Sequence, residues 1–111
     1  MARLSQFAGI MVEKYVLVAS SVTYYHHNDE AAFFGWLDRM ECVEGYRGEV
    51  TDLIISLRRR PTRYDLLELI AFFFRYGIDM AQLRRFETKA NRGWLRDPKM
   101  YWHQPMFGDG G

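Results

Sequence analysis

Few side chains in this sequence stand where they could do chemistry together. Its histidines are His26, His27 and His103. Neighbouring His26 and His27 would point to opposite faces of a strand or sit about 100° apart on a helix, and neither arrangement is the i, i+4 pairing with which a helix grips zinc. The lone cysteine, Cys42, follows Glu41, whose charge raises a thiol pKa, so a thiolate nucleophile is not indicated. Ser20 and Ser21 lie in an apolar run with no recognisable base, and no glycine-rich phosphate loop joins a strand to a helix. No catalytic residue, no metal and no cofactor is expected, and the chain does not read as an enzyme.

The charges are more informative. Residues 1–56 carry four basic side chains against eight acidic ones, and residues 57–111 carry eleven against six, so a net +1 conceals halves of −4 and +5. In the acidic half, Asp38, Glu41, Glu44, Glu49 and Asp52 crowd into one short stretch around Tyr46. Such a stretch can meet the basic groove of a nuclease or another cationic protein, with charge-steered association and a ring such as Tyr46 or Trp36 as anchor. The basic half opens on Arg58-Arg59-Arg60 and Arg63, and Arg84, Arg85, Lys89, Arg92 and Arg96 extend it. A small nucleic-acid-binding regulator is the alternative reading, because clustered arginines beside rings suit a phosphate backbone. The acidic half would oppose phosphates, so nucleic acid is the less expected partner.

These groups need a scaffold. At 111 residues and 13.2 kDa the chain has room for one core. The reading is a single domain over residues 11–108, a loose leader at 1–10 and a frayed tail at 109–111. The aromatic share of 16% makes ring packing a large part of the core. Residues 12–25 read as a strand from Val12, Val16, Val18, Val22 and Thr23, although apolar residues there also recur at helical spacing. Asn28 or Asp29 is the expected cap of a helix over 29–40, with Phe33, Trp36, Leu37 and Met40 on its apolar arc. The alternation of Leu53, Ile55 and Leu57 marks a half-buried strand, with residues 43–47 as its hairpin partner.

Thr62, with Asp65 three positions on, resembles a capping box that starts a helix over 64–76, and Gly77 ends it. Asp79 then caps a shorter helix over 80–86, and from Asn91 the chain reads as irregular, with Pro98 opening at most one helical turn. The expected fold is α+β, a small antiparallel sheet covered by helices; if residues 12–25 are helical, it is mostly α. The 64–76 helix is apolar over most of its circumference. Its polar stripe on the helical wheel is Asp65, Glu68 and Arg75, and Phe72 falls within that stripe. A ring there needs a cover, which Trp94, Tyr101, Trp102 and Phe107 could supply. Otherwise Phe72, Glu68 and Arg75 form a second interface.

The run from Leu66 to Leu83, then Asn91-Arg-Gly-Trp-Leu, Tyr101-Trp-His and Phe107-Gly, is similar to small bacterial immunity proteins encoded beside polymorphic or contact-dependent growth-inhibition toxins. Asp29-Glu-Ala-Ala-Phe-Phe-Gly-Trp-Leu-Asp-Arg-Met followed by Cys42-Val resembles their first-helix region, and the likeness covers residues 28–108. It implies a cytoplasmic protein that binds the toxic C-terminal domain of a cognate effector and blocks it one to one, without turnover. No contact residue carries over from the resemblance. The candidate toxin-binding set, Asp38, Glu41, Glu44, Tyr46, Glu49 and Asp52, rests on the clustered charge and the ring within it. No apolar run reaches membrane-spanning length, so a membrane is not an expected partner, and the sequence leaves the toxin and the oligomeric state open.

Overall fold

A computed structural model describes residues 15–108. The expected leader and tail, and the start of the 12–25 segment, lie outside the described residues. The elements are β1 (Val16–Ser20), α1 (His27–Arg39), β2 (Val43–Glu49), β3 (Asp52–Leu57), α2 (Arg63–Tyr76), a 3-10 helix (Met80–Phe86), α3 (Arg92–Leu95) and α4 (His103–Phe107). The strands form one antiparallel sheet in the order β1-β3-β2. The fold is therefore α+β, and β1 removes the mostly helical alternative.

The 12–25 strand proves shorter than its composition implies. Ser21 turns into left-handed backbone with φ 49° and ends β1, so Val22 and Thr23 leave the sheet. Leu17 pairs with Ile55 and Ala19 with Leu53, which puts these residues on the core face. Leu17, Ala19 and Ile55 are buried there. The outer edge of β1 is sealed by a side chain. The Gln82 amide accepts from the Val18 N–H at 2.9 Å and donates to the Val18 carbonyl at 2.8 Å, standing in for a further strand, and Arg85 donates to the Val16 carbonyl. β2 and β3 close over the two residues Val50 and Thr51. Val50, fully exposed, holds φ 57°, where a β-branched residue is strained.

Helix α1 begins earlier than expected, and the cap is neither Asn28 nor Asp29. His26, extended at φ −164°, places its imidazole Nδ1 to accept from the Asn28 N–H at 3.0 Å. Asp29 then falls in the first turn, where it accepts from the Tyr25 N–H and suits the helix dipole. Helix α2 follows its local signals. Asp65 N–H donates to Thr62 Oγ1 at 3.1 Å, Thr62 N–H donates to Asp65 Oδ2 at 2.9 Å, and Gly77 ends the helix at φ 67°. Asp79 caps the 3-10 helix through the Ala81 N–H. The final segment is more regular than expected: α3 and α4 lie on either side of Pro98, which opens neither.

Asp65 does more than cap. It is 3% exposed, and the Arg59 guanidinium grips both its carboxylate oxygens at 3.0 Å. Burial pushes the carboxyl pKa up, but the bonds from Arg59 and Thr62 outweigh burial and hold it below the usual range. A carboxyl depressed on folding stabilises the fold above its unfolded pKa of about 3.9 and loses that contribution as pH falls through the folded value. Asp65→Asn should therefore cost about 1–2 kcal/mol at pH 7: asparagine can still accept from the Thr62 N–H, and what is lost is the charge facing the half-exposed Arg59. Urea titrations should show the gap to the parent protein narrowing by pH 3; a gap independent of pH would refute the assignment.

The buried side chains form one continuous core between the sheet, α1, α2 and the C-terminal segment. A seam of rings joins the two long helices, with Phe33 centred 4.8 Å from Phe72 and 4.9 Å from Tyr76, and Trp36 5.0 Å from Phe72. The C-terminal segment is pinned elsewhere. Trp102 donates its indole N–H to the Leu95 carbonyl at 2.7 Å, Arg84 donates to the Met106 carbonyl, and Arg92 and Arg96 converge on Glu87.

Candidate functional site

The acidic stretch runs from the last turn of α1 through β2 to the start of β3, and the fold makes Tyr46 its fixed point. Residues 45–49 of β2 keep strict alternation against β3, so Tyr46 and Gly48 face the helix side and Arg47 and Glu49 the other. The Tyr46 ring lies 5.5 Å from Phe34, and its hydroxyl donates to Asp38 Oδ1 at 2.6 Å. That bond pushes the phenol pKa up, because ionisation would set two negative charges together. With 36% of its surface exposed, Tyr46 is an aromatic side chain held in one orientation at the surface.

The other candidate residues divide around it. Glu44 is the extra residue of a β-bulge between the Val43–Leu57 and Gly45–Ser56 pairs, and it is exposed. Glu41 is exposed in the turn between α1 and β2, and its carbonyl is held by Arg58 at 2.7 Å. Glu49 and Asp52 pair across the hairpin on the face opposite Tyr46, where Arg47 meets Glu49 at 3.2 Å. The structure thus gathers Asp38 and Tyr46 on one face of the β2 edge and Glu49 and Asp52 on the other. A residue approaching along the edge meets Asp38 on one face and, on the other, Asp52 and the Arg47–Glu49 pair.

The ring of the second expected interface is covered, although Arg75 beside it is exposed. Phe72 is fully buried, and its cover is α1, through Phe33 and Trp36, rather than the C-terminal rings. Glu68 accepts the Trp36 indole N–H at 2.9 Å, and Arg75 lies over the Tyr76 ring at 5.0 Å. Trp36, the other ring considered as an anchor, belongs to the same seam. Toward the C-terminal end of α2 the exposed rings are Phe74 and Tyr101, about half exposed and packed edge to face at 4.9 Å. Tyr101, expected as a cover for Phe72, lies against Phe74 instead, and Phe74 did not stand out in the sequence because a helix apolar nearly all round does not show which of its rings faces out.

The basic cluster is largely spent on the fold. Arg58 donates to the carbonyls of Glu41 and Val43, Arg59 grips Asp65, and Arg63 lies 4.8 Å over the Trp94 ring. Burial pushes the Cys42 thiol pKa up to about 11, which keeps it protonated near neutrality. Among the described residues no group of three or more His, Cys, Asp or Glu side chains could hold a metal ion, and no helix is long and apolar enough to cross a membrane. Compared with known proteins, the chain matches no family model, no curated protein and no solved structure.

Proposed function

We propose that this protein is an immunity protein: it acts in the bacterial cytoplasm, where it binds the C-terminal toxin domain of a cognate effector, a nuclease by the charge argument, and neutralises it by stoichiometric occlusion. The observation that carries the reading is the preorganised Tyr46, fixed by Phe34 and Asp38 on a strand edge whose neighbouring exposed residues include Glu41, Glu44 and, on its other face, Glu49. A ring whose rotamer is already set loses little entropy on binding, which is what gives interface tyrosines their weight. Surrounding acids favour a cationic partner and speed its approach. Co-expression with the toxin domain encoded beside it tests the reading: the two should co-purify in equal amounts, and cells should survive the toxin. A toxin that kills regardless and leaves no complex on the column would end it.

A further inference from the structure

The sheet has two edges, and the fold treats them differently. On β1 the outward backbone groups of Val18 are both taken by Gln82, and the Val16 carbonyl is taken by Arg85. On β2 the first outward carbonyl, that of Val43, is taken by Arg58 at 2.8 Å. Beyond it nothing comparable follows. Glu49 and Asp52 close a two-residue loop and so must bond directly to each other, which turns the N–H and C=O of Glu49, Arg47 and Gly45 toward β3 and those of Tyr46 and Gly48 outward. Among the described residues no group bonds to these outward groups, and Arg47, Gly48 and Glu49 are exposed.

Three further observations say what fits there. A Cβ added at Gly45 or Gly48 would meet no atom within 4 Å, so nothing in the chain's own packing calls for glycine; in a strand interior it permits close approach by another backbone. Gly45 also leaves a hollow of about 360 Å³ lined by Glu44 to Arg47, Ile54 and Ser56, a seat for a small apolar side chain. On the opposite face, Asp38 lies beside Tyr46. A second copy of this chain pairing antiparallel through Tyr46 and Gly48 would set Arg47 against Arg47 and bring the acidic residues of both copies together, which is unfavourable.

We infer that the β2 edge from Tyr46 to Gly48 is a β-augmentation site for an extended segment alternating small apolar and basic side chains, the apolar ones over the Ile54 hollow and the basic ones toward Asp38. This rests on the reading that the protein works by binding another protein, and it supplies the geometry of that contact.

The probe is a capped decapeptide of alternating lysine and valine, with its glutamate–valine counterpart as control. Added at millimolar concentration to the 15N-labelled full chain, the lysine peptide should shift the Tyr46 and Gly48 amide resonances and slow their hydrogen exchange, and the glutamate peptide should bind at least tenfold more weakly. Gly48→Pro removes the outward N–H and should abolish the effect. Gly48→Lys keeps that N–H but adds a repelling charge, and should weaken binding about tenfold. Unmoved Tyr46 and Gly48 amides, equal binding of the two peptides, or a dimer in sedimentation that Gly48→Pro dissolves would each overturn the inference. A toxin complex that survives Gly48→Pro would overturn it too while leaving the immunity reading intact; a toxin that never binds the parent protein would remove that reading and leave the peptide result standing.

Discussion

Phe72→Ala should be among the most destabilising single substitutions in the chain, lowering the free energy of unfolding by about 3–5 kcal/mol. The ring is fully buried and touches Phe33, Trp36 and Tyr76 at centroid distances of 4.8, 5.0 and 5.3 Å, so its removal leaves a cavity at the joint between α1 and α2. A domain of this size has roughly 5–15 kcal/mol in total, so the variant should unfold at a much lower urea midpoint with a similar slope. Phe74→Ala, two residues away on the same helix, is the internal control. That ring is 49% exposed, and its loss should cost about 1 kcal/mol or less. Equal costs at the two positions would mean that α2 is rotated from the orientation described.

The pair Phe72 and Phe74 also marks where the sequence stops being readable. Thr62 with Asp65, Gly77 and Asp79 are local devices, each defined within a few residues, and each forms as its spacing implies. The alternation of β3 and its hairpin with β2 are likewise local. The orientation of α2 is not, because a helix with apolar residues nearly all round is turned by whatever its neighbours leave uncovered. The wheel placed Asp65 and Phe72 outside, whereas Arg59 draws Asp65 in and Phe33 covers Phe72. Arg59 looked like part of a phosphate-binding cluster until its partner six residues away was visible. The Gln82 clamp, which seals β1 from 64 residues away, has no sequence signature at all. Of the candidate site, the acids could be read as a stretch, but their division between two faces follows from the strand period only once β2 is known to run on to Glu49.

That division makes the last prediction sharper than a general loss of binding. Changing Glu41, Glu44 and Glu49 together to lysine alters the local charge by +6 while leaving Tyr46, Phe34 and Asp38 in place. All three glutamates are exposed, and Glu49 is engaged only by the equally exposed Arg47, so the fold should keep its stability within about 1 kcal/mol. What should fall is the association rate with a cationic toxin domain, by about 10- to 100-fold at low salt, with much of the difference disappearing as salt is raised. Tyr46→Ala should behave in the opposite way. It leaves long-range charge untouched, so association should barely change, while the complex dissociates faster and loses about 2 kcal/mol of affinity, in the range of a central interface tyrosine. Surface plasmon resonance at two salt concentrations separates the two effects. If the lysine variant associates as fast as the parent, the acidic stretch is only a solvated rim; if Tyr46→Ala dissociates as slowly as the parent, the ring that Phe34 and Asp38 hold in place is not the anchor.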